Sequence, residues 1–514
     1  MFFTRDTLFM NHCIDLAWLA QTLTLPNPPV GALLLDKNYE IISSAIHLKA
    51  GKAHAEVLAL LSGYEAISGE KSGLDKNSEP SKIHEFLHKN HKGLFRDKIL
   101  LITLEPCNHY GKTPPCAKLL CELKPAKVII AFKDKWGESS NGAHRLQSAG
   151  VKVEFLQDLQ NLKNIDLQGN DLQTPHNNQD TQNLSQAHTK STHNLLPNPT
   201  NEKILDLLYP FLCLKESGRF NLFKLAMRAN GDYKSGSISG KSSRTFTHNQ
   251  RCIAQTIIIS GNTALSDTPR LDTRYADDFY AQPAQNPTQD ATQNLTAQTQ
   301  QNPTQDLPNI EIFTRDKKLL ITKSKQDSKL ANLLSQKRVS IKTSINTLSL
   351  DSGFTIIEGG FPLLEVLIDK VDMVLLHISP SLLSTTLDKE GQISKQQDSK
   401  YQDNKYRDEK AGKQTDMQAK GQDILGQILR HFRILHTTIL DDALDDTKNT
   451  KPKNNELSIQ KSALDAQKYA TQNQKTSKID SCTQNFLAQK STQTTKNQTK
   501  SQDLLVWLKP IKPS

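Results

Sequence analysis

Residues 97–134 read DKILLITLEPCNHYGKTPPCAKLLCELKPAKVIIAFKD, and this stretch sets the architecture of the first part of the chain. The run ILLITL at 99–104, apolar but for Thr103, reads as a strand. A loop follows, then CAKLLCELK with helical spacing, then a second buried run in VIIAF at 128–132. Working outward, residues 5–20 place Leu8, Phe9, Cys13, Leu16, Ala17 and Ala20 near one face of a helix. NPPVGALLLD turns into a strand at 30–35, and KAHAEVLALLSG at 52–63 opens a helix with Val57, Leu58, Leu60 and Leu61 as its apolar positions. Such alternation predicts an α/β layered domain over residues 1–157.

The remainder of the chain is less uniform. Hydrophobic residues make up 36% of the 514, below the roughly 45–50% of compact domains, so long solvated segments must accompany two ordinary domains. Residues 158–202 are rich in amides and hydroxyls and read as a polar linker. Order resumes at 203–514 with ILDLLYPFLCL, GRFNLFKLAM, QTIIISGNTAL, NIEIFTR, GFTIIEGG and VDMVLLHISPSLL, a strand-rich series that predicts a second α/β domain. Low-complexity inserts are expected near 276–307, 389–420 and 447–500, the first repeating QNPTQD. RILHTTILDDA and DLLVWLKP flank the last of these, and loop closure grows only logarithmically with length, so a closing hairpin with a disordered tip is predicted.

The formal net charge is +10, yet the lysines are scattered through polar stretches without an arginine-rich helix or interleaved aromatics. No nucleic-acid partner is therefore expected. Seven cysteines spread along the chain do not make a secreted disulfide framework. The N-terminal segment carries Arg5, Asp6, His12 and Asp15, which disfavours a signal peptide or spanning helix. A soluble cytoplasmic protein with no membrane partner is the expectation.

Chemistry concentrates at His54, Glu56, Cys107 and Cys116. Two thiolates and one imidazole suit Zn²⁺, and three protein ligands leave a fourth tetrahedral position for water, which zinc acidifies to a pKa of about 7. A carboxylate beside that water, not on the metal, carries protons. His54-Ala55-Glu56 at a helix start, with Pro106-Cys107 after a strand, match the H-x-E and P-C parts of a zinc-deaminase signature, with Glu56 as acid/base and His54, Cys107 and Cys116 as ligands. The cysteines stand eight residues apart where the general signature has two, so a loop formed at Gly111, Pro114 and Pro115 must return Cys116 to the metal. Cys121 reads as a packed core thiol, and His109 as either a substrate contact or an exposed loop residue. Asn27 stands just before the first buried strand, where its amide can read a ring edge or simply cap a turn between prolines.

PNPPVGALL, AHAEVLAL, TLEPCNHYGKTPPC and RLQSAGVKV together resemble the deaminase half of the bifunctional riboflavin-biosynthesis deaminase–reductase family. The resemblance covers roughly 5–157 apart from an enlarged polar insert near 65–95. It implies a cytidine-deaminase-like three-layer fold and zinc-dependent hydrolysis of the 2-amino group of 2,5-diamino-6-(5-phosphoribosylamino)pyrimidin-4(3H)-one. FKLAMRANGDYKSG, SRTFTHNQR, IISGNTALSDTPRLDTR and TIIEGGFPLLEVLI resemble the reductase half, which implies a dihydrofolate-reductase-like fold using NADPH to reduce the ribosyl group to ribityl.

Carried over by position, Ala226, Thr263, Asp267, Gly360, Phe361, Pro362, Leu363, Leu364, Glu365 and Val366 would contact the cofactor. Arg251, Leu271, Arg274 and Glu358 would face a phosphorylated ribosylamino-pyrimidine substrate. The chemistry agrees in part. Gly359 and Gly360 after a strand allow a close backbone approach, and Arg251 and Arg274 can fork onto phosphate oxygens. Two departures stand out: Arg228 and Asn230 replace the family's serine and aspartate, and the segment between Gly240 and Arg244, around Ser242, is short. The family also implies a homodimer. A different reading, a nucleoside or tRNA-base deaminase with a C-terminal binding module, lacks the basic-aromatic surface it would need. A non-catalytic interaction protein would draw only on the polar inserts.

Overall fold

The protein is described by a computed structural model covering residues 4–134, 140–156, 199–229, 231–233, 238–281, 307–380, 386–387, 393–394, 432–441 and 502–511. Two compact units divide at Leu212/Cys213, within one helix. Most of the expected linker and inserts, and Asn230, lie outside the described residues. Where they are described, the chain is more structured than expected. Residues 199–202 open a helix, residues 278–281 form another with Tyr280 buried, and Thr386–Leu387 pairs with Ile393–Ser394.

The first unit contains α1 (Arg5–Ala17), β1 (Gly31–Leu35), β2 (Ile41–Ile46), α2 (Ala55–Ser68), α3 (Pro80–Asn90), β3 (Ile99–Leu104), α4 (Cys116–Leu123), β4 (Lys127–Phe132), α5 (Gly142–Ser148) and β5 (Lys152–Phe155). Its sheet runs β2-β1-β3-β4-β5, with β1 antiparallel to both neighbours and β3, β4 and β5 parallel. Leu34, Leu100, Ile102, Val128 and Ile130 on one face bury against Val57, Leu60, Ile83, Leu87 and Leu120 from α2, α3 and α4. Helix α1 packs on β1 and β3, and at Gly31 a β-carbon would sit 2.4 Å from the Cys13 carbonyl oxygen, so only glycine permits that approach. Much of the polar stretch expected near 65–95 is α3, whose Ile83 and Leu87, one turn apart, are fully buried beneath an otherwise polar surface.

Helix α6 (Pro199–Ser217) carries the boundary, and the second unit continues with β6 (Arg219–Arg228), α7 (Lys241–Arg251), β7 (Thr256–Ser260), α8 (Gly261–Asp267), α9 (Asp278–Ala281), β8 (Asn309–Phe313), α10 (Lys317–Ser324), α11 (Ser328–Leu334) and β9 (Val339–Lys342). Then come β10 (Gly353–Glu358), α12 (Phe361–Leu367), β11 (Met373–Ser379), β12 (Thr386–Leu387), β13 (Ile393–Ser394), β14 (Phe432–Asp441) and β15 (Gln502–Pro510). Its eight-stranded sheet has the order β14-β15-β11-β6-β10-β7-β8-β9. The six strands from β11 to β9 are mutually parallel, while β15 is antiparallel to both β11 and β14. The closing hairpin expected from RILHTTILDDA and DLLVWLKP is therefore present, with Asp441 paired to Gln502 at its described end. Because β6 and β10 are central, the row Lys224–Glu358–Ile259 crosses β6, β10 and β7 at the carboxyl end of the parallel strands. Ligands of open parallel sheets bind at such an edge.

Candidate metal centre and anion pocket

Helix α2 begins at Ala55 because His54 has extended backbone angles (φ −75°, ψ 163°) and leaves the helical path at the N-cap. Its side chain makes no capping hydrogen bond and turns towards the loop after β3 instead. There Cys107 Sγ lies 3.6 Å and Cys116 Sγ 3.4 Å from His54 Nδ1, and the three donor atoms fall within 4.8 Å of one another. Nitrogen and sulfur ligands about 2.0 and 2.3 Å from a tetrahedral Zn²⁺ would stand about 3.5 Å apart, so the donor set fits that ion.

Cys116 sits at the first position of α4, and its N–H reaches Cys107 Sγ at 3.3 Å. The eight-residue loop thus closes as its spacing required. Glu105 anchors the loop's start: buried, its carboxylate accepts from the N–H groups of Asp134 (3.0 Å) and Ala143 (2.9 Å). Thr113, in the same loop, contacts His54 Nε2 at 3.3 Å and fixes the outer edge of the imidazole.

Glu56, in the first turn of α2, is buried, and that burial is the main reason its carboxyl is raised above the usual range. The Cys107 thiol is driven in the opposite direction, chiefly by its hydrogen bond with Cys116 and despite burial. The same contact, with burial, pushes the Cys116 thiol up. Cys121 lies one turn on, against the core, with its thiol 3.7 Å from the Arg145 carbonyl.

Sequence reasoning passed over His47. Burial, and then the neighbouring His54, lower its pKa to about 3, so the ring is neutral. Nδ1 lies 3.2 Å from the Ala53 carbonyl and must carry the proton, which leaves Nε2 to accept from Asn27 Nδ2 at 3.4 Å. The ring also meets His54 edge-on, with centroids 5.1 Å apart. Asn27 is therefore tied to the donor cluster through His47. The signal available in sequence was a histidine seven residues ahead of His54 in IHLKAGKAH.

In the second unit a cavity of about 280 Å³ is lined by Lys224, Arg244, Thr247, His248, Arg251, Arg270, Leu271 and Arg274, among others. Arg251, Leu271 and Arg274 come together there as grouped from sequence, but the Arg251 fork is fully engaged. Arg251 Nε and Nη2 donate to the two carboxylate oxygens of Glu358 at 2.8 and 2.7 Å, and Nη1 to the Asp272 carbonyl. Arg274 Nη1 is held by the Asp272 carboxylate at 2.6 and 2.7 Å. Burial alone would raise Glu358, but Arg251, helped by Lys224 and His248, holds it down at about 2. Leu271 is buried with φ at 49°, a conformation few side chains adopt, and its carbonyl is held by Arg338. Lys224 and His248 were not singled out as pocket residues from sequence; their signal was alternation along β6 and helical spacing with Arg251.

The residues grouped for a cofactor separate. Half-buried Ala226 and Gly360 lie at the strand edge beyond Lys224 and Glu358, and Thr263 sits in the first turn of α8, where its N–H donates to Ser260 Oγ. Asp267, Pro362, Glu365 and Val366 are exposed. Phe361, Leu363 and Leu364 point into the hydrophobic core, so any contact they make with a ligand is through backbone. A β-carbon on Gly360 would meet the Tyr233 ring at 2.7 Å, which accounts for glycine there.

Residues 3–132 match the cytidine and deoxycytidylate deaminase zinc-binding region, and residues 227–410 match the RibD C-terminal domain. The chain thus carries a deaminase zinc-binding region followed by a RibD C-terminal domain. The His54–Cys107–Cys116 cluster lies within the matched zinc-binding region. RibD of Haemophilus influenzae is 29% identical over 54% of this chain and 57% of its own length. The chloroplastic riboflavin biosynthesis protein PYRD of Arabidopsis thaliana is 34% identical over 29% of this chain and 28% of its own. The solved structure of Acinetobacter baumannii RibD, form 1, is 18% identical, covers 99% of both chains and gives a TM-score of 0.41. With Haemophilus influenzae RibD and the RibD of Mycobacterium tuberculosis, the chain matches 57% and 60% of the relatives' lengths. Among the described residues no helix is long and apolar enough to cross a membrane.

Proposed function

We propose that the chain is a bifunctional riboflavin-biosynthesis enzyme: a zinc-dependent deaminase of 2,5-diamino-6-(5-phosphoribosylamino)pyrimidin-4(3H)-one over residues 1–157, and an NADPH-dependent reductase of the deaminated product over 203–514. The observation that carries this reading is the convergence of His54, Cys107 and Cys116 beside a buried carboxylate, in a chain that continues into a RibD C-terminal domain. That second domain also disfavours a nucleoside or tRNA-base deaminase.

His54, Cys107 and Cys116 would hold the zinc, which would supply a water that ionises near neutral pH. Glu56, kept out of solvent and raised in pKa, takes up a proton and returns it to the ring and the departing amine. Asn27, oriented by neutral His47, reads the pyrimidine edge. In the second unit the cationic cavity receives the ribosyl phosphate. Arg251, paired with Glu358 behind it, lines the cavity, as does Lys224 in the same row as Glu358. NADPH supplies a hydride, and Ala226, Thr263 and Gly360 at the adjoining strand edge fit its binding in placement.

The deciding experiment supplies the diamino substrate and NADPH together and follows ammonia release and NADPH oxidation. Wild type releases ammonia and then consumes NADPH in equal amount. Glu56→Gln keeps its zinc, deaminates about 10²–10⁴-fold more slowly and still reduces deaminated substrate. Full deamination by that variant would refute the role given to Glu56, and no NADPH consumption with authentic deaminated substrate would remove the second activity.

A further inference from the structure

The helix that furnishes much of the cationic cavity lacks a cap of its own. Gly240, the N-cap of α7, has no side chain, and no side-chain cap from the adjacent sequence replaces it. The cap comes from the far end of the chain. Asp503, near the start of β15 and 2% exposed, accepts the Gly240 N–H at 2.6 Å. Four residues further along β15, α7 touches the same strand again where Phe246 meets Trp507 edge-on, ring centroids 6.3 Å apart.

A buried carboxylate is a costly choice for a cap that serine or asparagine could make. It gains here from the positive end of the α7 dipole, and beside Lys224, whose pKa burial lowers, it works with Glu358 in the opposite direction. Arg244, Thr247, His248 and Arg251 all project from α7 into the cavity, so the placement of the helix start sets where those groups stand. We propose that Asp503 is a positioning residue for the cavity, fixing the first turn of α7 so that its side chains meet the phosphate of the substrate. This rests on the reading of the cavity as the reductase substrate site. It gives the closing strand a role in ligand binding as well as in completing the sheet.

The test uses the full chain, with Asp503→Ala, Asp503→Asn and Gly240→Pro. Proline suits the Gly240 φ of −65° but has no N–H to give. Two quantities are read: the Kd of inorganic phosphate by calorimetry, and KM and kcat for NADPH oxidation with deaminated substrate. Asp503→Ala should raise Kd and KM about tenfold while kcat changes by less than about threefold. Asp503→Asn, which keeps an acceptor oxygen, should recover most of that loss. Gly240→Pro should match Asp503→Ala, and the double variant should lose no more than either single one.

A lowered Tm with Kd and KM unchanged would make Asp503 a structural staple and overturn the proposal, as would an Asp503→Asn variant as impaired as the alanine. If Asp503→Ala does not fold, Gly240→Pro carries the same comparison. Should wild type bind phosphate yet never consume NADPH, the functional reading fails while the Kd comparison still decides the role of Asp503.

Discussion

Arg251 and Glu358 stand 107 residues apart in sequence and share a two-pronged pair in the structure. Each was legible as a polar residue at a strand or helix end, but their mutual use was not, because nothing local in sequence tells a phosphate-seeking guanidinium from one already held by a carboxylate. The pair has a measurable signature. Glu358→Gln leaves the Arg251 charge buried without its counterion and should cost about 3–5 kcal/mol in urea unfolding at neutral pH. The carboxyl is depressed from 4.5 to about 2, so its stabilisation is complete above pH 4.5 and is lost as pH falls through about 2. The stability gap between wild type and Glu358→Gln should therefore shrink between those two values. A gap independent of pH would show that Glu358 is not held ionised by Arg251. The metal donors were legible for the opposite reason: thiol, imidazole and carboxylate types declare their chemistry wherever the fold brings them.

Elements with continuous apolar runs, such as β1, β3 and β4, were readable because burial on both faces leaves no alternation to confuse them. Strand β2 was not read. It is an edge strand whose IISSAI carries two serines, and Ser43 is buried only because its hydroxyl donates to the Ala59 carbonyl of α2 at 2.7 Å. Helix α5 shows how a short element acts on the centre. A β-carbon at Gly142 would fall 1.9 Å from the Pro106 carbonyl oxygen, one residue before Cys107. Gly142→Ala must push that loop away, and we expect zinc to be surrendered to a competing chelator at least about tenfold more readily, since ligand placement governs affinity. Unchanged zinc retention would mean that the loop moves without dragging Cys107.

For the whole molecule, the described residues form two units, each with a mixed sheet, and the pairing of β14 with β15 across residues 442–501 follows from the weak length dependence of loop closure. The expected extent of the polar stretches was less accurate, since Pro199 to Glu202 and Asp278 to Ala281 are helical. Pro199 to Glu202 are the polar first turn of the long α6, and Asp278 to Ala281 make a single turn, so neither has apolar periodicity to read; packing, as for buried Tyr280, decides the latter. The account as a whole depends on one cation at His54, Cys107 and Cys116. Metal analysis of the purified full chain beside Cys107→Ala tests this most directly: the account predicts one zinc per wild-type chain and almost none in the variant. Zinc-free wild type, or a variant that keeps its full complement, would contradict it.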